Sequence, residues 1–191
     1  MFRRLSLLTT LCLLAAAGVA RSTTVIPPTF DQLVAEARTV FVGEVMSQRS
    51  VMDTSAQGRT IHTIVTFRVE DVWKGTLGAV TQLEFLGGTV GELTLKVSGM
   101  PTFAVDQRSV LFVSGAARSI SPLVGLSYGR FRVERSTSDG IDRVRTNDGR
   151  SLGAITEIGP QRPSSFQSIT PMRLSELAAA VRARQTAGRA R

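Results

Sequence analysis

The stretch Thr60–Gly75, T-I-H-T-I-V-T-F-R-V-E-D-V-W-K-G, decides the fold class. Ile61, Thr63, Val65, Phe67 and Val69 alternate with His62, Ile64, Thr66, Arg68 and Glu70, the period of two of a half-buried strand. β-branched and aromatic residues fill it, which suits a pleated surface packed on one side. At Glu70-Asp71 the alternation slips, because Val72 and Trp73 are adjacent and both apolar; this predicts a bulge or sharp bend. Lys74-Gly75 then closes the strand.

Upstream of this stretch, Thr29-Phe30-Asp31-Gln32 has the form of a capping box and predicts a short helix to about Ala37, burying Phe30, Leu33, Val34 and Ala37. Thr39–Ser47 reads as a strand apolar on both faces, with Gly43 marking a bend or a close backbone approach. Gln48–Gly58 is polar and is expected to be a loop. Downstream, Val80–Leu86 alternates as a strand, and Gly87–Gly91 is a glycine-rich turn without the Gly-Lys-Ser/Thr ending of a phosphate loop. Leu93–Val97 continues as a strand until Ser98–Pro101 breaks it. Ser109–Ser114 is a continuous apolar run, the mark of a strand covered on both faces. Leu123–Arg135 and Ile141–Thr146 form a hairpin around Ser138-Asp139-Gly140, with Phe131 and Val133 inward. Thr170-Pro171 opens a helix with the stripe Leu174, Leu177, Ala178 and Val181. These strands in series, bent by glycines and a bulge and flanked by two short helices, predict a mainly β chain folded as a small closed or nearly closed antiparallel barrel.

Arg3 and Arg4 precede the apolar run Leu5–Leu14 and the small residues Ala15–Ala20, the pattern of a secretory signal peptide cut before Arg21. The run is shorter than the roughly 20 residues that span a bilayer, so no membrane span is expected in the mature chain. The organisation expected is a leader at 1–20, a barrel domain at 21–149, a linker at 150–169, a packed helix at 170–184 and a frayed tail at 185–191. Cys12, the single cysteine, falls in the leader, which removes disulfides, thiolate chemistry and cysteine–zinc sites from the mature chain. The net charge of +8 becomes +6 without Arg3 and Arg4, and only Lys74 and Lys96 are lysines. A basic balance suits nucleic acid or an anionic surface; a coding preference for Arg, Ala and Gly explains it more simply, and export argues against nucleic acid.

Val40–Val45, Val65–Gly75, Gly87-Gly88, Ser98–Phe103, Val110–Val113 and Gly129–Val133 occur in an order that resembles a group of exported bacterial proteins of largely unknown function. Their barrel is similar to the netrin-like, oligonucleotide/oligosaccharide-binding (OB) domain of tissue inhibitors of metalloproteinases. The resemblance covers about Thr29–Val133 and implies an OB-like barrel, and for some members an association with matrixin-type zinc proteases. The animal inhibitors chelate the protease zinc through an N-terminal cysteine. The expected mature chain begins at Arg21 without one, so that mechanism does not carry over.

No cofactor and no metal site is expected from the residues. His62 is the single histidine and alternates away from the Val65/Phe67 face, which makes it a solvent-side residue rather than a ligand or a triad base. Glu70-Asp71 would serve as a catalytic carboxylate pair in an exported hydrolase only if the bulge re-aimed one of them, since strand neighbours point to opposite faces. Asp139, Asp142 and Asp148 lack the spacing of an EF-hand loop. Trp73 and Phe67 read as core. The hairpin carries the remaining candidate, an anionic-partner face of Tyr128, Arg130, Arg132, Arg143 and Arg145; the segment's six arginines and four acids net +2 between residues 130 and 150. The reading is a monomeric, secreted or periplasmic, non-enzymatic binding or accessory module of unknown ligand. If the arginine face docks a partner, that partner is an acidic protein, glycan or envelope component. The alternatives are an exported hydrolase using Glu70 and Asp71 or a weak binder of nucleic acid or an anionic polymer.

Overall fold

The computed structural model describes residues 26–55, 58–115, 120–160 and 170–189, and the expected leader lies outside them. Helix α1 (Phe30–Glu36) opens with the capping box: the Gln32 backbone N–H donates to Thr29 Oγ1, and the Thr29 N–H donates to Gln32 Oε1. Lys74 Nζ donates to the carbonyl of Val34 at 2.6 Å, so a cation closes the helix end where carbonyls lack partners.

The strands are β1 (Ala37–Ser55), β2 (Gly58–Lys74), β3 (Val80–Leu86), β4 (Gly88–Val90), β5 (Leu93–Leu95), β6 (Arg108–Ser114), β7 (Arg130–Arg135) and β8 (Asp142–Thr146). Six of them form an antiparallel sheet in the order β3-β2-β1-β6-β7-β8, and β4-β5 form a separate hairpin. The fold is mainly β with two helices, and β3 and β8 stand at opposite edges of the sheet. Ser151 and Arg173 bridge to β8 and cover its outer edge. The Leu86 N–H donates to the Ile120 carbonyl, so the segment after β6 reaches the end of β3.

Alternation in β1 and β6 divides two cores. Val40, Val42, Val110 and Phe112 join Trp73, Phe131, Val133, Val144 and the two helices on one face. Phe41, Val45, Leu111, Val65, Phe67, Leu83 and Phe85 form the other, with Met100 and Phe103 packed against it. Helix α2 (Leu174–Arg189) lays Leu177, Ala178 and Val181 on the first core.

The polar segment Gln48–Ser55, expected as a loop, is the distal half of β1, paired residue for residue with Gly58–Val65. No side chain from Gln48 to Thr54 is fully buried, so this part of β1 needs no apolar alternation. The helix expected from Thr170-Pro171 starts at Leu174 instead, because the Met172 carbonyl accepts from the Val144 N–H of β8 and Arg173 bridges to Arg143 before the chain turns helical. Nor does the helix end at Arg184: it continues to Arg189, with Gln185 Nε2 donating to the Trp73 carbonyl at 2.8 Å. Gly43 meets its expectation. The β1–β2 register shifts beside it, and a Cβ there would stand 2.8 Å from the Phe41 ring.

Candidate functional site

In the β7–β8 register Arg132 stands opposite Arg145 and Glu134 opposite Arg143, while Val133 faces Val144 in the first core. Directly opposed residues share a face, so Arg130, Arg132, Arg143 and Arg145 do lie on one side of the sheet, as alternation predicts. Their environments differ.

Arg130 is fully buried, which corrects its place on a docking face. The segment leading into β6 folds across it. Nε donates to Ser109 Oγ (3.1 Å), Nη1 to the Thr102 carbonyl (2.6 Å) and Asn147 Oδ1 (3.0 Å), and Nη2 to Gln107 Oε1 (2.6 Å). The guanidinium carbon lies 4.3 Å from the centroid of the Phe103 ring. Every oxygen it meets is neutral, and among the described residues no carboxylate pairs with it. Burial, then the neighbouring Arg132 charge, pull its pKa down to about 10. Tyr128, in a 3₁₀ turn at Leu126–Gly129, is 43% exposed, but the ring that receives an arginine is Phe103's.

Arg143 Nη2 donates to Asp139 (2.6 Å) and its Nη1 to the Pro171 carbonyl (3.0 Å). Arg145 Nε donates to Glu134 (2.5 Å) and its Nη1 to Ser151 Oγ (3.1 Å). Arg132 has neither: it is half-buried, its Nε is enclosed without an acceptor, and no acid among the described residues pairs with it. A guanidinium without a counter-ion therefore sits between the buried Arg130 and the opposed Arg145.

On the opposite face, the bulge at Glu70 does what the acid pair needs. Asp71 pairs with Val42 and Val69 with Gly43, leaving Glu70 as the extra residue. Glu70 and Asp71 then both line a cleft of about 540 Å³ beneath α2, with Trp73, Arg108, Asp142 and Arg182. Arg108 holds Glu70 through Nε (3.0 Å) and Nη2 (2.8 Å) and Asp142 through Nη1 (2.9 Å). Asp71 accepts from Trp73 Nε1 (2.9 Å) and Arg182 (3.2 Å). Each carboxylate of the pair is thus engaged by a different arginine. Arg108 has no early signal, since a single Arg at the head of an apolar run reads as a strand start.

His62 is 23% exposed and stands 3.1 Å from Glu84 on β3. Asp139, Asp142 and Asp148 are held by Arg143, Arg108 and Arg150 respectively. No group of three metal-ligating side chains occurs among the described residues, and no described helix is long and apolar enough to cross a membrane. Comparisons with models of protein families, with curated proteins and with solved structures return no match.

Proposed function

We propose that the chain is an exported, non-enzymatic binding or accessory module that captures an acidic protein or envelope component on the β7–β8 face centred on Arg132. The observation that carries this reading is Arg132 itself: a guanidinium with an enclosed, unsatisfied Nε, opposite a second arginine and beside a third. Such an arrangement disfavours the isolated chain, because like charges oppose and a polar atom lacks its bond. A carboxylate from a partner, meeting the half-buried Arg132 guanidinium from outside, offsets the opposed like charges through a charge-assisted contact, while the enclosed Nε stays out of its reach. Arg143, Arg145 and Tyr128 flank the docking surface; Arg130 supplies charge from below.

The same reading includes the leader and an OB-like barrel, nearly closed by the segment ahead of Leu123. Support for the barrel is that β1 pairs with both β2 and β6, and that Ile120 reaches the end of β3. An association with an exported metalloprotease rests on the sequence resemblance alone.

The test is capture from native envelope or culture medium by wild type and by the Arg132→Ser/Arg145→Ser variant. An acidic partner retained by wild type and lost by the variant, with association slowed by salt, is expected. Equal recovery of every partner by both proteins overturns the reading. A second reading, an exported hydrolase using Glu70 and Asp71, draws on their shared cleft. It requires hydrolysis of a peptide, ester or glycoside that Glu70→Gln/Asp71→Asn abolishes without changing stability.

A further inference from the structure

A groove of about 540 Å³ opens on the side of the second core, away from the acid-lined cleft. Its floor is Val65, Phe85 and Phe103, whose two rings lie 5.0 Å apart at a 47° tilt. Met100 and Leu95 wall it, and Lys96 stands at its exposed rim. The β4–β5 hairpin is fixed over it by hydroxyl contacts. Ser50 Oγ and Thr63 Oγ1 are 3.0 Å apart, and Thr63 donates to the Gly87 carbonyl at 2.7 Å. A Cβ at Gly88 would stand 2.4 Å from both hydroxyls, at a φ of +135° that side chains avoid, so only glycine lets the hairpin settle this close.

The electrostatics of this groove have one sign. No Asp or Glu lines it, and Lys96 makes no ion pair among the described residues. Phe103, part of the floor, carries the buried Arg130 guanidinium on its ring, and that charge meets only neutral oxygens. Small-ligand sites are concave and mostly apolar with a few placed polar groups, at volumes of roughly 300–1,000 Å³. We propose that the groove binds a small carboxylate with an apolar body, of the medium-chain alkyl class, its chain against Phe85, Phe103 and Met100 and its carboxylate at Lys96. This site shares the buried Arg130 with the Arg132 face but does not rest on Arg132 or on partner capture there.

Octanoate is the probe, read through methionine-methyl NMR of the full mature chain. The Met100 methyl shifts saturably while that of Met172, in the first core, stays still. Lys96→Gln weakens octanoate about two- to fivefold, the range of one exposed charge contact, and leaves octanol unaffected. Octyltrimethylammonium binds more weakly than octanoate. Thr94→Trp, an exposed position lining the groove, blocks the probe while the methyl spectrum stays dispersed. Arg132→Ser keeps octanoate binding whatever its effect on partner capture. A Met100 methyl unmoved by millimolar octanoate, or equal octanoate affinity in wild type, Lys96→Gln and Thr94→Trp, overturns the site.

Discussion

Arg130 and Arg132 are two residues apart on one strand, yet substituting them should have opposite consequences. Arg130→Met keeps most of the stem but strands Ser109, Gln107, Asn147 and the Thr102 carbonyl without their shared donor. Unsatisfied buried groups cost about 1–3 kcal/mol each before relaxation, so a loss of about 2–4 kcal/mol in urea unfolding is expected. Arg132→Ser removes an opposed like charge and an orphaned Nε, and its midpoint should stay within about 0.5 kcal/mol of wild type or rise. Equal losses in the two variants would contradict the difference in burial. Alternation alone places both guanidiniums on the correct face of the hairpin. It does not reveal that Thr102–Gln107, some two dozen residues upstream, cross over Arg130, because a lid formed by a non-local loop leaves no periodic trace.

At the level of elements, the local signals with a local cause were legible. The capping box at Thr29, the bulge at Glu70 and the doubly covered β6 each follow from neighbours in sequence. The distal arm of β1 was not, since a strand with no fully buried side chain between Gln48 and Thr54 has the composition of a loop. Trp73 shows the strength of the bulge reading: it turns into the first core, 5% exposed, while Val72 packs toward the second. Trp73→Ala should therefore cost about 3–5 kcal/mol and lower the melting temperature steeply; an unchanged melting temperature would place the indole outside the core. The β7–β8 turn makes a pH prediction. Bonds from Ser136, the Ile141 N–H and Arg143 hold the Asp139 carboxyl down to about 2, below its ordinary 3.8. A depressed carboxyl contributes stability that is full above its unfolded pKa and fades as pH falls toward the folded one. Wild type should thus lose more stability than Asp139→Asn between about pH 4 and pH 2. Parallel acid limbs in the two proteins would show that the turn does not depend on this carboxylate.

Across the molecule, α2 joins parts of the chain that the sheet alone does not hold together. Its apolar stripe seals the first core, where Leu177 and Val181 are fully buried. Its polar side reaches α1 through Arg184–Asp31 at 2.6 Å and the bulge through Arg182–Asp71 at 3.2 Å. Magnitudes decide which set matters. Both ion pairs are half-exposed, and exposed pairs contribute roughly 0–1 kcal/mol, falling with salt. A buried leucine is worth several times that, and a charge in its place has no acceptor in a core of Phe30, Val40, Val110 and Phe112. The Arg182→Ala/Arg184→Ala variant should therefore unfold within about 1–2 kcal/mol of wild type, with the gap narrowing in high salt. Leu177→Asp should lose the cooperative transition or fail to accumulate as folded chain, and Leu177→Ala should fall between, at about 2–5 kcal/mol. If Leu177→Asp unfolds like wild type while the arginine variant collapses, α2 is held by its charges and not by its stripe.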